Sequence, residues 1–145
     1  MSTSVKDRPK AEATEFVPEV KRDDERIIEI ICHLELVRSA CAVLQHHWDL
    51  MPGSHRAQDV EALNMIDALE MWLRASEALA HELKHFDIDA HGEACRCIAC
   101  AEAMCAVFMQ IANYHGAPLR FDDDTLLGYV SGIKRLAERA IEVLG

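Results

Sequence analysis

Between His81 and Cys105 the chain reads HELKHFDIDAHGEACRCIACAEAMC, which sets three histidines and four cysteines close together. His81-Glu82-Leu83-Lys84-His85 forms an H-E-x-x-H pattern. On a helix, that spacing turns two imidazoles toward one zinc ion, and the glutamate between them acts as general base on a metal-bound water. Cys95, Cys97, Cys100 and Cys105 form C-x-C-x2-C-x4-C. Cys97 and Cys100, three apart on one helical face, would share a metal or act as a redox thiol pair, and a helix N-terminus would lower their pKa toward the thiolate. A closed zinc site needs four converging ligands. Cys105 lies about 12 Å along the axis from Cys97, so His91, Cys41 or a second subunit would have to complete it.

With five residues between His85 and His91, the run HELKHFDIDAH resembles the extended zinc signature of the metzincin peptidases, over eleven residues. The resemblance implies His81, His85 and His91 as ligands and Glu82 as the base. Where that family turns sharply on a glycine, this chain has Ile88, a β-branched residue poorly suited to positive φ. Plainer roles compete for the same residues. Histidines near a helix C-terminus are mildly favoured by the dipole, and cysteine is a common buried hydrophobe.

The elements that must position these groups are helical. The chain has 145 residues, half of them hydrophobic and 6% aromatic, with six glycines and four prolines, a balance that favours helices over strands. One domain is the expectation. Residues 1–22 mix charges with Ser, Thr, Pro9 and Pro18 and read as a flexible, disordered tail. Residues 23–145 read as the domain. A first helix is expected over 24–50, where Ile27, Leu34, Cys41 and Trp48 recur every seven residues, as do Ile30, Val37, Leu44 and Met51, a coiled-coil-like seam. Leu36, Ala40, Val43 and Leu50 widen its apolar face to about 200° at 100° per residue, and a helix on the outside of a bundle needs a stripe only somewhat over 100° wide.

Pro52-Gly53 breaks the chain. A second helix is expected over 56–86, with Leu63, Ile66, Leu69, Met71, Trp72, Leu73, Leu79, Leu83 and Phe86 inward and Asp67, Glu70, Arg74, Glu77, His81 and His85 on the wet side. A third is expected over 92–114, carrying Ile98, Ala101, Cys105, Phe108 and Ala112 on one stripe and Cys97, Cys100, Met104, Val107 and Ile111 on the next, with Cys95 outward beside Glu102. It stops at Gly116 and Pro118. A fourth starts at Asp122 or Asp123 and reaches Leu144. The architecture read from this is all-α, an antiparallel four-helix bundle in up-down-up-down order.

The net charge is −10, and residues 23–117 hold six basic and sixteen acidic side chains. That balance disfavours direct nucleic-acid binding and suits solubility or a basic partner. No apolar run reaches the roughly 18 residues of a membrane span, and no signal peptide is evident, so a cytoplasmic protein with reduced thiols is expected. The functional expectation is a small, non-enzymatic protein acting by protein–protein binding, as a regulatory or inhibitory adaptor, with the surplus apolar face of the first helix (Leu36, Ala40, Val43, Leu50) forming a homodimer. No cofactor is expected on that reading. One alternative is a bundle that binds or senses zinc or another transition metal through Cys97 and Cys100 with His91, His81 and His85. The other is a zinc hydrolase centred on Glu82.

Overall fold

The computed structural model describes residues 23–50, 60–84, 87–112 and 123–145. They form α1 (Asp23–Asp49), α2 (Val60–His81), α3 (Ala90–Ala112) and α4 (Asp123–Leu144). These pack as an all-α four-helix bundle in which each helix lies against the next and α4 returns to α1. The tail expected over 1–22, the break at Pro52-Gly53 and the stop at Gly116 and Pro118 fall outside the described residues.

One spacing rule builds the core. α1 buries Ile30, Leu34, Val37, Cys41, Leu44 and Trp48; α2 buries Ala62, Ile66, Leu69, Leu73, Ser76 and Ala80. α3 contributes Ala94, Ile98, Ala101, Cys105 and Phe108, and α4 contributes Val130, Ile133, Ala137 and Ala140. Every set alternates steps of three and four, the 3.5-residue repeat of a coiled-coil seam. Helices with that repeat lie about 20° from antiparallel. The alanines of α3 and α4 leave room for the larger side chains that α1 inserts, so the layers interdigitate. Ser76 occupies a seam position because its hydroxyl donates to the Trp72 carbonyl at 2.9 Å, so burial does not leave that hydroxyl unpaired.

Contacts at the helix ends set the directions. The Lys84 amide donates to Asp23 Oδ1 at 2.8 Å, tying the end of α2 to the start of α1. Arg139 Nε donates to Glu93 Oε1 at 2.7 Å, tying the last turns of α4 to the start of α3. Further along the α3–α4 contact, toward the other end of the bundle, the Tyr129 hydroxyl donates to the Met104 carbonyl, and its ring lies 5.7 Å from that of Phe108. Gly132 admits Met104 at this contact, since a Cβ there would stand 3.1 Å from the methionine Cε.

Three expectations need correction. α2 ends at His81, not at Phe86. Beyond it the Glu82 and Leu83 amides turn to carbonyls three residues back, Leu79 at 3.1 Å and Ala80 at 3.3 Å. Leu83 is drawn into the core and the next amide is taken by Asp23. Ile27, expected in the α1 seam, is half-buried, and Arg26 takes the buried place between Asp23 (3.3 Å) and Glu82 (3.5 Å). Met71, Cys100 and Val107, read as inward, are exposed. A 3.5-residue seam is narrower than the broad face counted at 3.6 residues per turn, so apolar side chains beside it stay outside.

Candidate functional site

The histidine-rich stretch is held by ordinary helix chemistry. On one helix, two imidazoles four residues apart lie on one face and can share a ligand. Here α2 ends on the first of them. His81 is exposed, with Nε2 3.5 Å from Glu77 Oε1; His85 lies outside the described residues. Glu82 Oε2 is 3.5 Å from Arg26 Nε, so its carboxylate balances a buried guanidinium.

His91 belongs to the start of α3. Asp87 Oδ1 accepts from the amides of Asp89 at 2.9 Å and Ala90 at 3.3 Å, and His91 Nδ1 accepts from the Asp87 amide at 3.0 Å. This is a reciprocal cap that resembles a capping box, with a histidine four residues on in place of the usual glutamate three residues on, a position Ala90 holds here. The bond occupies the Nδ1 lone pair and places the imidazole proton of the neutral form on Nε2. Asp87→Ala should lower stability by about 1 kcal/mol, read as a lower urea midpoint, while Asp87→Asn should keep most of it. An unchanged midpoint in the alanine variant would mean the cap is idle.

The thiols divide by depth. Cys41 and Cys105 are buried, Cys95 and Cys97 half-buried, Cys32 and Cys100 exposed. Cys97 was expected to be activated by the α3 N-terminus, and the reverse holds. Partial burial, then the charges of Glu93 and Cys100, push its pKa up, and they outweigh Arg139 and Arg96. Cys95, expected on the outer face, is half-buried; burial, then the Glu77 charge, push it up too. Among the described residues, no three His, Cys, Asp or Glu side chains are grouped to hold a metal ion. His81, His91, Cys97 and Cys100 are therefore not brought together as one ligand set.

What the structure does assemble is a charged network between α2 and α3. Arg74 donates to Glu70 on its own helix and, at 3.2 Å, to Glu102 Oε1 on α3. Glu70, expected on the wet side, is buried under that guanidinium. A hydrogen bond from Glu102, followed in effect by His81, holds the Glu77 carboxyl below its usual range; the same bond, with burial, holds Glu102 above it. The two carboxyls titrate as a coupled pair in which Glu77 gives up its proton more readily than Glu102. The sign follows from this. Glu102 contributes stability below its unfolded pKa and loses it as pH rises through the raised folded value, whereas Glu77 contributes above its unfolded pKa and loses it as pH falls. Glu102→Gln keeps a donor toward Glu77 at every pH, so it should stabilise the fold by about 0.5 kcal/mol at pH 7 and be neutral near pH 4. Urea midpoints at the two pH values check it; destabilisation at pH 7 would count against the hydrogen bond between Glu77 and Glu102.

These charges follow directly after seam residues: Glu70 after Leu69, Arg74 after Leu73, Glu77 after Ser76 and Glu102 after Ala101. Glu70, Glu77 and Glu102 thereby take the flanking position that carries interhelical ion pairs in coiled coils, and Arg74 reaches across from the next one out. That signal was in the sequence once the seam of α2 had been seen.

The remaining surface feature is the back of α1. Leu36, Val43 and Leu50 are 48%, 59% and 76% exposed, Ile28 is 61% exposed, Cys32 is exposed and Ala40 half-buried. Ala40 packs against the core, and none of the others is part of it. No family model, curated protein or solved structure matches the chain.

Proposed function

We propose that the protein acts by binding protein, with no reaction of its own, through the outer face of α1, and that a second copy is its first occupant. One observation carries this. Single apolar side chains on a surface are ordinary, but Leu36, Val43 and Leu50 repeat at seven residues with Ile28 and Cys32 on the same stripe. A contiguous apolar stripe marks an interaction site on a soluble chain. A regulatory or adaptor role fits such a module, and the acidic surplus of residues 23–117 favours a basic partner for the faces that self-association leaves open.

No helix among the described residues is long and apolar enough to cross a membrane. A single helix-on-helix contact is at the small end of interfaces, which points to micromolar association. Sedimentation equilibrium should find twice the 16.3 kDa chain mass at tens of micromolar. Leu36→Glu with Val43→Glu should give the single-chain mass with unchanged helicity. A wild-type chain that stays monomeric through that range overturns the proposal.

A further inference from the structure

The back of α1 repeats the pattern of its front. Glu25, Glu29, Cys32, Leu36, Ser39, Val43, His46 and Leu50 alternate steps of four and three along the whole helix. Each of the six from Cys32 onward stands two residues from a member of the core seam, which is about 200° around the helix. α1 therefore carries two heptad seams, one turned into the bundle and one turned out. The outer seam is graded: glutamates at its N-terminal end, apolar and small residues at its centre, an imidazole and Leu50 at its C-terminal end.

We propose that this outer seam pairs antiparallel with the same seam of a second copy, in a register that sets Glu29 opposite His46, Cys32 opposite Val43, Leu36 opposite Ser39 and Glu25 opposite Leu50. The inference rests on self-association through α1 and adds its direction and register. A two-fold axis between Leu36 and Ser39 makes every contact occur twice. The charges choose the direction. A parallel pair would stack Glu25 on Glu25 and Glu29 on Glu29, at a helix end that also bears Asp23 and Asp24. Like charges facing each other across a seam oppose association. The antiparallel pair moves those carboxylates to the partner helix's basic last turn, where His46 and His47 stand, and sets the two helix dipoles head to tail. In that register residues 26–49 of the two helices overlap, so the apolar centre from Cys32 to Val43 lies inside the contact.

Disulfide trapping reads the register directly. In a Cys100→Ser background, Val43→Cys should yield a covalent dimer under mild oxidation, with residue 32 of one chain linked to residue 43 of the other in the peptide map. Without Val43→Cys, the background should give no covalent dimer, because the two copies of Cys32 lie about 16 Å apart along the axis. A 32–32 or 43–43 link, or no link in protein that sediments as a dimer, overturns the register and leaves self-association standing; a monomer overturns both. Charge exchange gives a second reading. Glu29→Lys should weaken the dimer roughly fivefold, and adding His46→Glu should restore it, since only the antiparallel pair sets these positions together. A double variant no tighter than the single one overturns the proposal.

Discussion

Cys41 and Cys105 should stay unmodified in the native protein while Cys32 and Cys100 react with a thiol reagent within its mixing time. Burial comes first among the causes that push both core thiols up to about 12 from about 9. Lys134 pulls Cys41 partly back, and the charges of Cys41, Glu70 and Glu102 push Cys105 further. Since the thiolate is the nucleophile, a rise of that size removes about a thousandfold of reactivity near neutral pH, before access to the core is considered. Cys95 and Cys97, half-buried and pushed up less, should react at intermediate rates. Pulsed alkylation followed by intact mass should therefore show two sites filled early, two later and two only in denaturant. A single fast phase covering all six cysteines would mean the core seam is not closed around Cys41 and Cys105. The same division bears on metal and redox readings of the cysteines: the thiols that are chemically available belong to the surface and the α3 flank.

The α1 seam was legible from its sevenfold recurrence alone, and six of its described members, Ile30, Leu34, Val37, Cys41, Leu44 and Trp48, are fully buried. The surplus face of that helix was legible too, because nothing in a four-helix arrangement covers a second stripe. The ends of helices were less so. The sequence pattern carries α2 on past His81, and a contact with Asp23, 61 residues away, stops it; propensity yields to tertiary hydrogen bonding there. The H-E-x-x-H run is affected by the same contact, since α2 ends on its first histidine. The Glu70–Arg74–Glu102 network was half visible: Glu70 and Arg74 are four apart on one helix, but Glu102 joins them only across the α2–α3 contact. Counting at 3.6 residues per turn hid it by placing Glu70 in water. At 3.5 it falls beside the seam.

Leu34→Ala and Leu36→Ala should separate the two faces of α1, although the residues are two positions apart. Leu34 is fully buried in the seam and Leu36 is 48% exposed. Truncating Leu34 removes the transfer free energy of its side chain and leaves a cavity between helices that a rigid bundle fills poorly, a loss of about 2–5 kcal/mol. Truncating Leu36 removes apolar area already half in water and opens no void, so the loss for the isolated subunit is within about 0.5 kcal/mol. Alanine also keeps the helix, which makes burial the main difference between the two variants. Urea unfolding at low micromolar concentration measures both. The core thiols supply an independent measure: when labelling requires unfolding, its rate follows the open population. A 3 kcal/mol loss in Leu34→Ala would then speed Cys41 labelling by about 150-fold, with Leu36→Ala changing it less than about threefold. The dimer should respond the other way. Leu36→Ala removes area from both copies of the outer seam and should raise the dissociation constant, while any surviving folded Leu34→Ala chain keeps that seam whole. Equal losses of stability in the two variants would mean that α1 presents one broad face to the bundle, and the outer seam would then have no surface left with which to bind.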